Sequence, residues 1–224
     1  MRHHVIITAG GSGTRLQSEL PKQFLLLNGL PVLMYTVKKF SGISGEIIIT
    51  LPKNHIDTWK KLCSVYQFEI PHAIVSGGES RFHSVKKALE KIMDDDSLVA
   101  VHVGVRPTVN EELIVKIFDT AEKNANAVPF LSLSEIIRKI DEKGNNFYSD
   151  RKNFVSIQTP QSFSIKSLRK AYAQKFSGSF TDDATAVEAA TGEKIFLVEG
   201  EKQNVKITTM EDLLFAEQLM SAHP

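Results

Sequence analysis

The 224-residue sequence holds a single cysteine, Cys63. Within one chain this rules out a structural disulfide and a thiolate zinc site, and a lone thiol suits a reducing compartment. No apolar run reaches the roughly 18 residues of a membrane span, and the first residues, Met1 to Ala9, read as a strand rather than a secretory leader. The formal net charge is only +1, whereas a nucleic-acid binder would carry a strongly basic footprint. A cytoplasmic protein is expected, with neither a membrane nor a nucleic acid as partner. Internal repeats, low-complexity tracts and linkers are absent, so residues 1–224 are read as one α/β domain large enough for a sizeable core. The adjacent His3 and His4 are read as incidental. His72, His83 and His102 are read as packed structural residues, and no metal held by protein side chains is expected.

What is present alternates. Apolar runs at 4–9, 46–52, 73–78, 98–103 and 126–130 read as strands. Helix-like segments fall between them at 31–40, 56–66 and from Arg81, where Val85, Ala88, Leu89 and Ile92 recur at helical spacing. Asn110 before Glu111 and Glu112 reads as a helix N-cap with acids in the first turn. This order predicts a Rossmann-like, mostly parallel sheet with helices on both faces. Residues 131–160 break the pattern. "EIIRKI" and "FVSIQTP" around "DEKGNNF" read as a β-hairpin protruding from the sheet, either a plain surface feature or a dimerisation arm. Beyond it follow a helix over 164–176, a helix from Thr181 with Asp182 and Asp183 in its first turn, strands at "KIFLVEG" and "NVKIT", and a closing helix from Thr209.

The strand at 4–9 runs into "AGGSGTRLQSELPKQF". A glycine-rich turn after a strand offers unobstructed backbone N–H groups to phosphates. It is not a P-loop, since no Lys-Ser or Lys-Thr follows, and position 16 is Leu where the dinucleotide fingerprint needs glycine. The remaining candidate is the nucleotidyltransferase signature, a glycine turn followed by Arg and later by Pro-Lys, here Arg15 and Lys22. Nucleotidyl transfer accumulates negative charge on a five-coordinate α-phosphorus and on departing pyrophosphate, which calls for fixed cations. A phosphate-monoester acceptor is already anionic and needs no general base. An Arg forks onto two oxygens while a Lys acts as a point charge.

With "GGESRFHSV", "VHVGVRP", "DRKNFVSIQTPQSF", "TDDATAVE" and "VEGEKQNVKIT" following in order, the chain resembles the 2-C-methyl-D-erythritol 4-phosphate cytidylyltransferase family, close to the ribitol-5-phosphate cytidylyltransferases. The resemblance implies an enzyme joining CTP and a polyol phosphate, with release of pyrophosphate, in non-mevalonate isoprenoid synthesis. The alternatives are a ribitol-phosphate enzyme or a weakened CTP-binding paralogue. It implies that Ala9, Gly10, Gly11, Ser12, Gly13 and Thr14 wrap the nucleotide, and that Arg15 and Lys22 stabilise the transition state. Gly78, Glu79 and Ser84 would read the cytosine, and Arg106 and Lys206 would meet the acceptor phosphate. Arg151 and Thr159, on or near the arm, would reach the partner's site in a homodimer. It further implies one Mg²⁺ carried mainly by the CTP phosphates.

The residues alone also support plainer roles. Lys206 reads equally as an edge-strand lysine, Arg151 with Asp150 as a surface ion pair, and Asp182 and Asp183 as acids favouring the helix dipole. Two positions depart from the family pattern, both on the acceptor side. Val103 stands where V-H-D-x-x-R-P has aspartate, and Ile136 stands where a Thr or Ser hydroxyl is usual.

Overall fold

The computed structural model of the chain describes residues 1–11 and 20–222. The first half comprises β1 (Arg2–Thr8), β2 (Leu26–Leu27), β3 (Leu30–Pro31), α1 (Val32–Phe40), β4 (Glu46–Leu51), α2 (Ile56–Val65), β5 (Ala73–Ser76), α3 (Arg81–Leu89) and β6 (Ser97–Val103). Then come α4 (Glu111–Asn124), β7 (Asn126–Ser132), β8 (Ile137–Ile140), β9 (Asn146–Ser149), β10 (Val155–Ile157) and β11 (Gln161–Ser164). The chain continues through α5 (Ile165–Ala173), α6 (Asp183–Thr191), β12 (Leu197–Glu199) and α7 (Met210–Ala222).

One sheet runs β10–β7–β11–β6–β1–β4–β5, with β12 also paired to β7. The pairs β1–β4, β1–β6, β4–β5 and β7–β12 are parallel, while β10 and β11 run antiparallel to their neighbours. The fold is the expected mostly parallel α/β sheet, and both faces are covered. Val5 and Ile7 of β1 pack with α1, α2 and α4 on one side. Ile6 packs with α3, α5 and α6 on the other. Double coverage explains why β1, β4 and β6 read as continuous apolar runs rather than as an alternation.

β1 is the first strand, yet it lies between β4 and β6. The chain moves outward in one direction through β4 and β5, then returns to lay β6 on the other side of β1. This reversal opens a crevice at the carboxyl ends of β1 and β6, where open α/β sheets hold their ligands.

Four expectations need correction. The arm exists, but its second strand is Asn146–Ser149, closed by a turn in which the Asp141 carboxylate accepts from the Lys143 and Asn145 N–H groups. "FVSI" instead supplies β10, which lies against the end of β7. Residues 204–208 form no strand: Val205 N–H donates to Thr108 Oγ1 and Ile207 N–H to the Val105 carbonyl, with no ladder. Ser164 is the side-chain N-cap of α5, and the three residues before it belong to β11. Asp182, not Thr181, caps α6, through a capping box with Thr185.

Candidate active site

A cleft of about 330 Å³ lies at this switch point. Its walls are the end of β1 with the residues after it (Thr8 to Gly11), Lys22 and Gln23, the end of β4, the loop from Gly77 to Arg81 with Ser84, Val103 at the end of β6 and Val105 beyond it, and Lys206. The expectations for Ser12, Gly13, Thr14 and Arg15 fall outside the described residues.

The "PKQF" segment is held in place by its own neighbours. Pro21 starts a single 3₁₀ turn over Lys22–Phe24. Phe24 is buried and stacks on Trp59 at 6.2 Å. Gln23 is buried and its Nε2 donates to the Ala9 carbonyl at 2.8 Å, tying the turn to the glycine segment. A Cβ on Gly11 would stand 3.1 Å from Lys22 Cε and 3.6 Å from Nζ, so the glycine leaves room for the lysine side chain to lie against this backbone.

The opposite wall is the loop after β5. Gly78 N–H donates to Ser84 Oγ at 3.0 Å, and that hydroxyl donates to the Ser80 carbonyl at 3.0 Å. A Cβ on Gly78 would come within 2.4 Å of His83 Cβ, so only glycine fits there. Gly78 and Glu79 on this short loop and Ser84 in the first turn of α3 therefore gather in one internally bonded unit. Ser84 is buried and its hydroxyl is already used in holding that loop.

At the acceptor side the placements are mixed. Lys206 lines the cleft, though not from a strand edge. Arg106 stands behind the wall. Its Nη1 donates to the Asn204 carbonyl, its Nε has no partner, and it forms no ion pair among the described residues. Desolvation pulls its guanidinium down to about 10. A half-buried cation without a counter-charge is a ready seat for an anion.

Thr159 is buried, and its hydroxyl is engaged inside its own chain. Its Oγ1 accepts from the Val103 N–H at 3.2 Å and meets His102 Nδ1 at 3.1 Å. His102 Nε2 meets the Arg106 carbonyl at 3.1 Å. A carbonyl only accepts, so Nε2 carries the proton, Nδ1 accepts, and the Thr159 hydroxyl donates. Burial pushes this imidazole down to about 3, so it stays neutral. His102 is packed, as the sequence suggested, but it also holds both ends of the "VHVGVRP" turn. Arg151 lies outside the cleft at the base of the arm, where its Nη1 donates to the Ser134 carbonyl.

Gln23, His102 and Arg81 were given no role in the site by the sequence reading. All three stand inside motifs that carry the resemblance, but the spacing of a motif does not show which members face inward.

The family model described as 2-C-methyl-D-erythritol 4-phosphate cytidylyltransferase matches residues 3–222. The protein of that name from Bacteroides thetaiotaomicron is 42% identical over 98% of this chain and 100% of its own. That from Bacteroides fragilis is 43% identical over 96% of this chain and 98% of its own. Among solved structures, 4-diphosphocytidyl-2C-methyl-D-erythritol synthase from Anaerococcus prevotii superposes with a TM-score of 0.83 at 30% identity, covering 98% of each chain.

Proposed function

The chain belongs to the 2-C-methyl-D-erythritol 4-phosphate cytidylyltransferase family, and from that premise we infer that it joins CTP to 2-C-methyl-D-erythritol 4-phosphate. The products are 4-diphosphocytidyl-2C-methyl-D-erythritol and pyrophosphate, made in isoprenoid synthesis. An acceptor phosphate oxygen attacks the α-phosphorus of CTP, and the bond to the β-phosphate oxygen breaks. The attacking oxygen is already ionised, so the protein's task is to bind, align and neutralise charge.

One observation carries this reading: the glycine turn, Lys22, the Gly77–Arg81 loop and Lys206 converge on a single cleft at the switch point. In this arrangement the triphosphate lies along Ala9 to Gly11. Lys22 meets the transition-state charge, and the short loop at Gly78 and Glu79 takes the pyrimidine. Lys206 and Arg106 draw in the acceptor phosphate. The relatives above carry the methylerythritol name rather than the ribitol one, which favours that acceptor over the ribitol and non-catalytic alternatives.

Among the described residues no group of three His, Cys, Asp or Glu stands together, and Glu79 is the one carboxylate lining the cleft. This donor set fits a magnesium ion held by the phosphates of CTP, with no protein cage. Such an ion supplies charge neutralisation to the departing pyrophosphate.

The working unit is taken to be a homodimer of one-domain chains. Its support is the arm, where Ile136, Ile140, Phe147 and Tyr148 are exposed at 81%, 70%, 54% and 71%. An apolar hairpin so exposed is an interface in waiting, and the partner's cleft is where Arg151 would find an anion. No helix among the described residues is long and apolar enough to cross a membrane. The cytoplasmic placement rests on that and on the lone thiol.

Pyrophosphate release measured with CTP and each acceptor tests the activity. Release with methylerythritol phosphate and little with ribitol phosphate is expected, and the reverse order would overturn the assignment.

A further inference from the structure

Arg81 lines the cleft beside Lys22 and Lys206 and would pass for a third phosphate cation. Its partners say otherwise. Its Nη1 donates to Asp183 Oδ1 at 2.9 Å and its Nη2 donates to Oδ2, a two-pronged pair with a carboxylate that is 0% exposed. The Tyr172 hydroxyl donates to the same Oδ1 at 2.5 Å. Burial, reinforced by the Asp183 charge, pushes that hydroxyl well above its ordinary range, so it remains a donor. Arg81 is the first residue of α3, where a positive charge opposes the helix dipole, and Asp183 is the first residue of α6, where a negative charge is favoured. The pair places the unfavoured charge against the favoured one.

The rest of the contact reinforces a mechanical role. Phe82 packs against Tyr172 at 4.6 Å and against Phe176 and Phe180 at 5.6 Å each, so the first turn of α3 is pinned to α5 and to the chain leading into α6. The loop at Gly78 hangs from that same turn through Ser84 and Ser80. Whatever fixes the start of α3 fixes the loop. The Arg81–Asp183 pair has no net charge left to offer a phosphate.

We propose that Arg81, Asp183 and Tyr172 form a buried clamp that positions the base-reading loop, making Arg81 a positioning residue for pyrimidine recognition rather than a ligand of the triphosphate. This rests on the CTP-dependent reading above, so binding of CTP by the parent protein is measured first. A parent that binds no CTP defeats that reading, and the clamp with it.

The variants are Asp183→Asn, Arg81→Lys and Tyr172→Phe, each measured by calorimetry with CTP, UTP and inorganic pyrophosphate, by steady-state kinetics, and by thermal unfolding. Losing one partner of a charged hydrogen bond should raise Kd and KM for CTP roughly ten- to a hundredfold in Asp183→Asn and Arg81→Lys. Tyr172→Phe, which loses one neutral donor, should raise them about two- to tenfold. Preference for CTP over UTP should shrink, while pyrophosphate affinity and the KM for the acceptor should stay within about twofold, because neither ligand carries the base that the loop reads. Tighter pyrophosphate binding in Asp183→Asn would show that Arg81 is a phosphate cation once released. Equal losses for CTP and pyrophosphate would show the same of Arg81→Lys. A lower unfolding temperature with unchanged CTP affinity would reduce the clamp to a stability element. Where Asp183→Asn does not fold, Tyr172→Phe carries the same decision.

Discussion

Lys22 is presented to the cleft by neighbours that are fixed in place. Phe24 is anchored on Trp59 and Gln23 on the Ala9 carbonyl, so under the proposed function the ammonium meets the developing charge with little reorganisation. Lys22→Ala and Arg15→Ala should each lower kcat by about 10²–10³-fold, by analogy with lost oxyanion donors. CTP affinity by calorimetry should fall much less. Val103 is the reverse case, an apolar side chain on a wet wall. Val103→Asp adds a polar group aimed at ribose or acceptor, so kcat/KM for methylerythritol phosphate should rise at a stability cost of about 1 kcal/mol. Unchanged or lower values with both acceptors would show that no contact was missing. His102 gives a pH dependence with a definite sign. Its native value of about 3 lies below the ordinary imidazole value of about 6.5, so the unfolded chain takes up the proton first as pH falls. Its contribution is complete above about pH 6.5 and is lost toward about pH 3, at about 1.4 kcal/mol per pH unit. Urea unfolding across this range should slope more steeply for the parent than for His102→Gln. Matching slopes would mean that the imidazole is not held neutral.

The segments differ in how openly the sequence announces them. Helices α3 and α4 could be read because apolar spacing and a side-chain cap agree, with Ser80 and Asn110 accepting from the backbone as N-caps do. β11 could not be read. It lies within the sheet, yet "QSFS" carries no apolar pattern, because Gln161 and Ser162 are buried polar residues and the Gln161 side chain bonds to the start of α6. "NVKIT" misled in the opposite way. Its alternation arises because Ile207 buries against Leu27, Val32 and Val105, not because it pairs. The glycine turn and "PKQF" were legible as one cleft-lining unit because their signal is local. The clamp at Asp183 was not, since its partner is 102 positions away, and acids at a helix start already have a sufficient local reason. The loop after β5 gives a test of its own. Gly78→Ala forces a methyl to within 2.4 Å of His83 Cβ, so the loop must shift. KM for CTP should rise about tenfold or more, the loss of roughly one hydrogen bond to a charged ligand, while pyrophosphate affinity holds.

For the molecule as a whole, the alternation of strands and helices announces a doubly covered parallel sheet, and the position of the first glycine turn announces its ligand edge. The assembly is less openly written, because an exposed hairpin and an interface hairpin share one pattern. Static light scattering at micromolar concentration should give twice the 25.0 kDa chain mass. Substituting Ile140→Lys with Phe147→Lys should halve that mass and lower turnover, since two charges on an apolar interface core are strongly disfavoured. A fully active monomer in the parent would remove the arm from the catalytic account.

The position of β11 has a consequence for how the chain is made. It lies antiparallel between β6 and β7, with Gln161 opposite Val101 and Ser162 opposite Ala127. The strands from β1 to β6 leave the ribosome early and can begin to assemble, but the outer edge of β6 has no partner until the arm and β10 have been synthesised. For that interval a buried-type strand presents an open row of backbone donors and acceptors, the kind of edge that recruits foreign strands. The same insertion that places Thr159 under Val103 therefore makes the nascent half-molecule dependent on prompt elongation, and a translational pause within the arm is the point at which this chain is most exposed to aggregation.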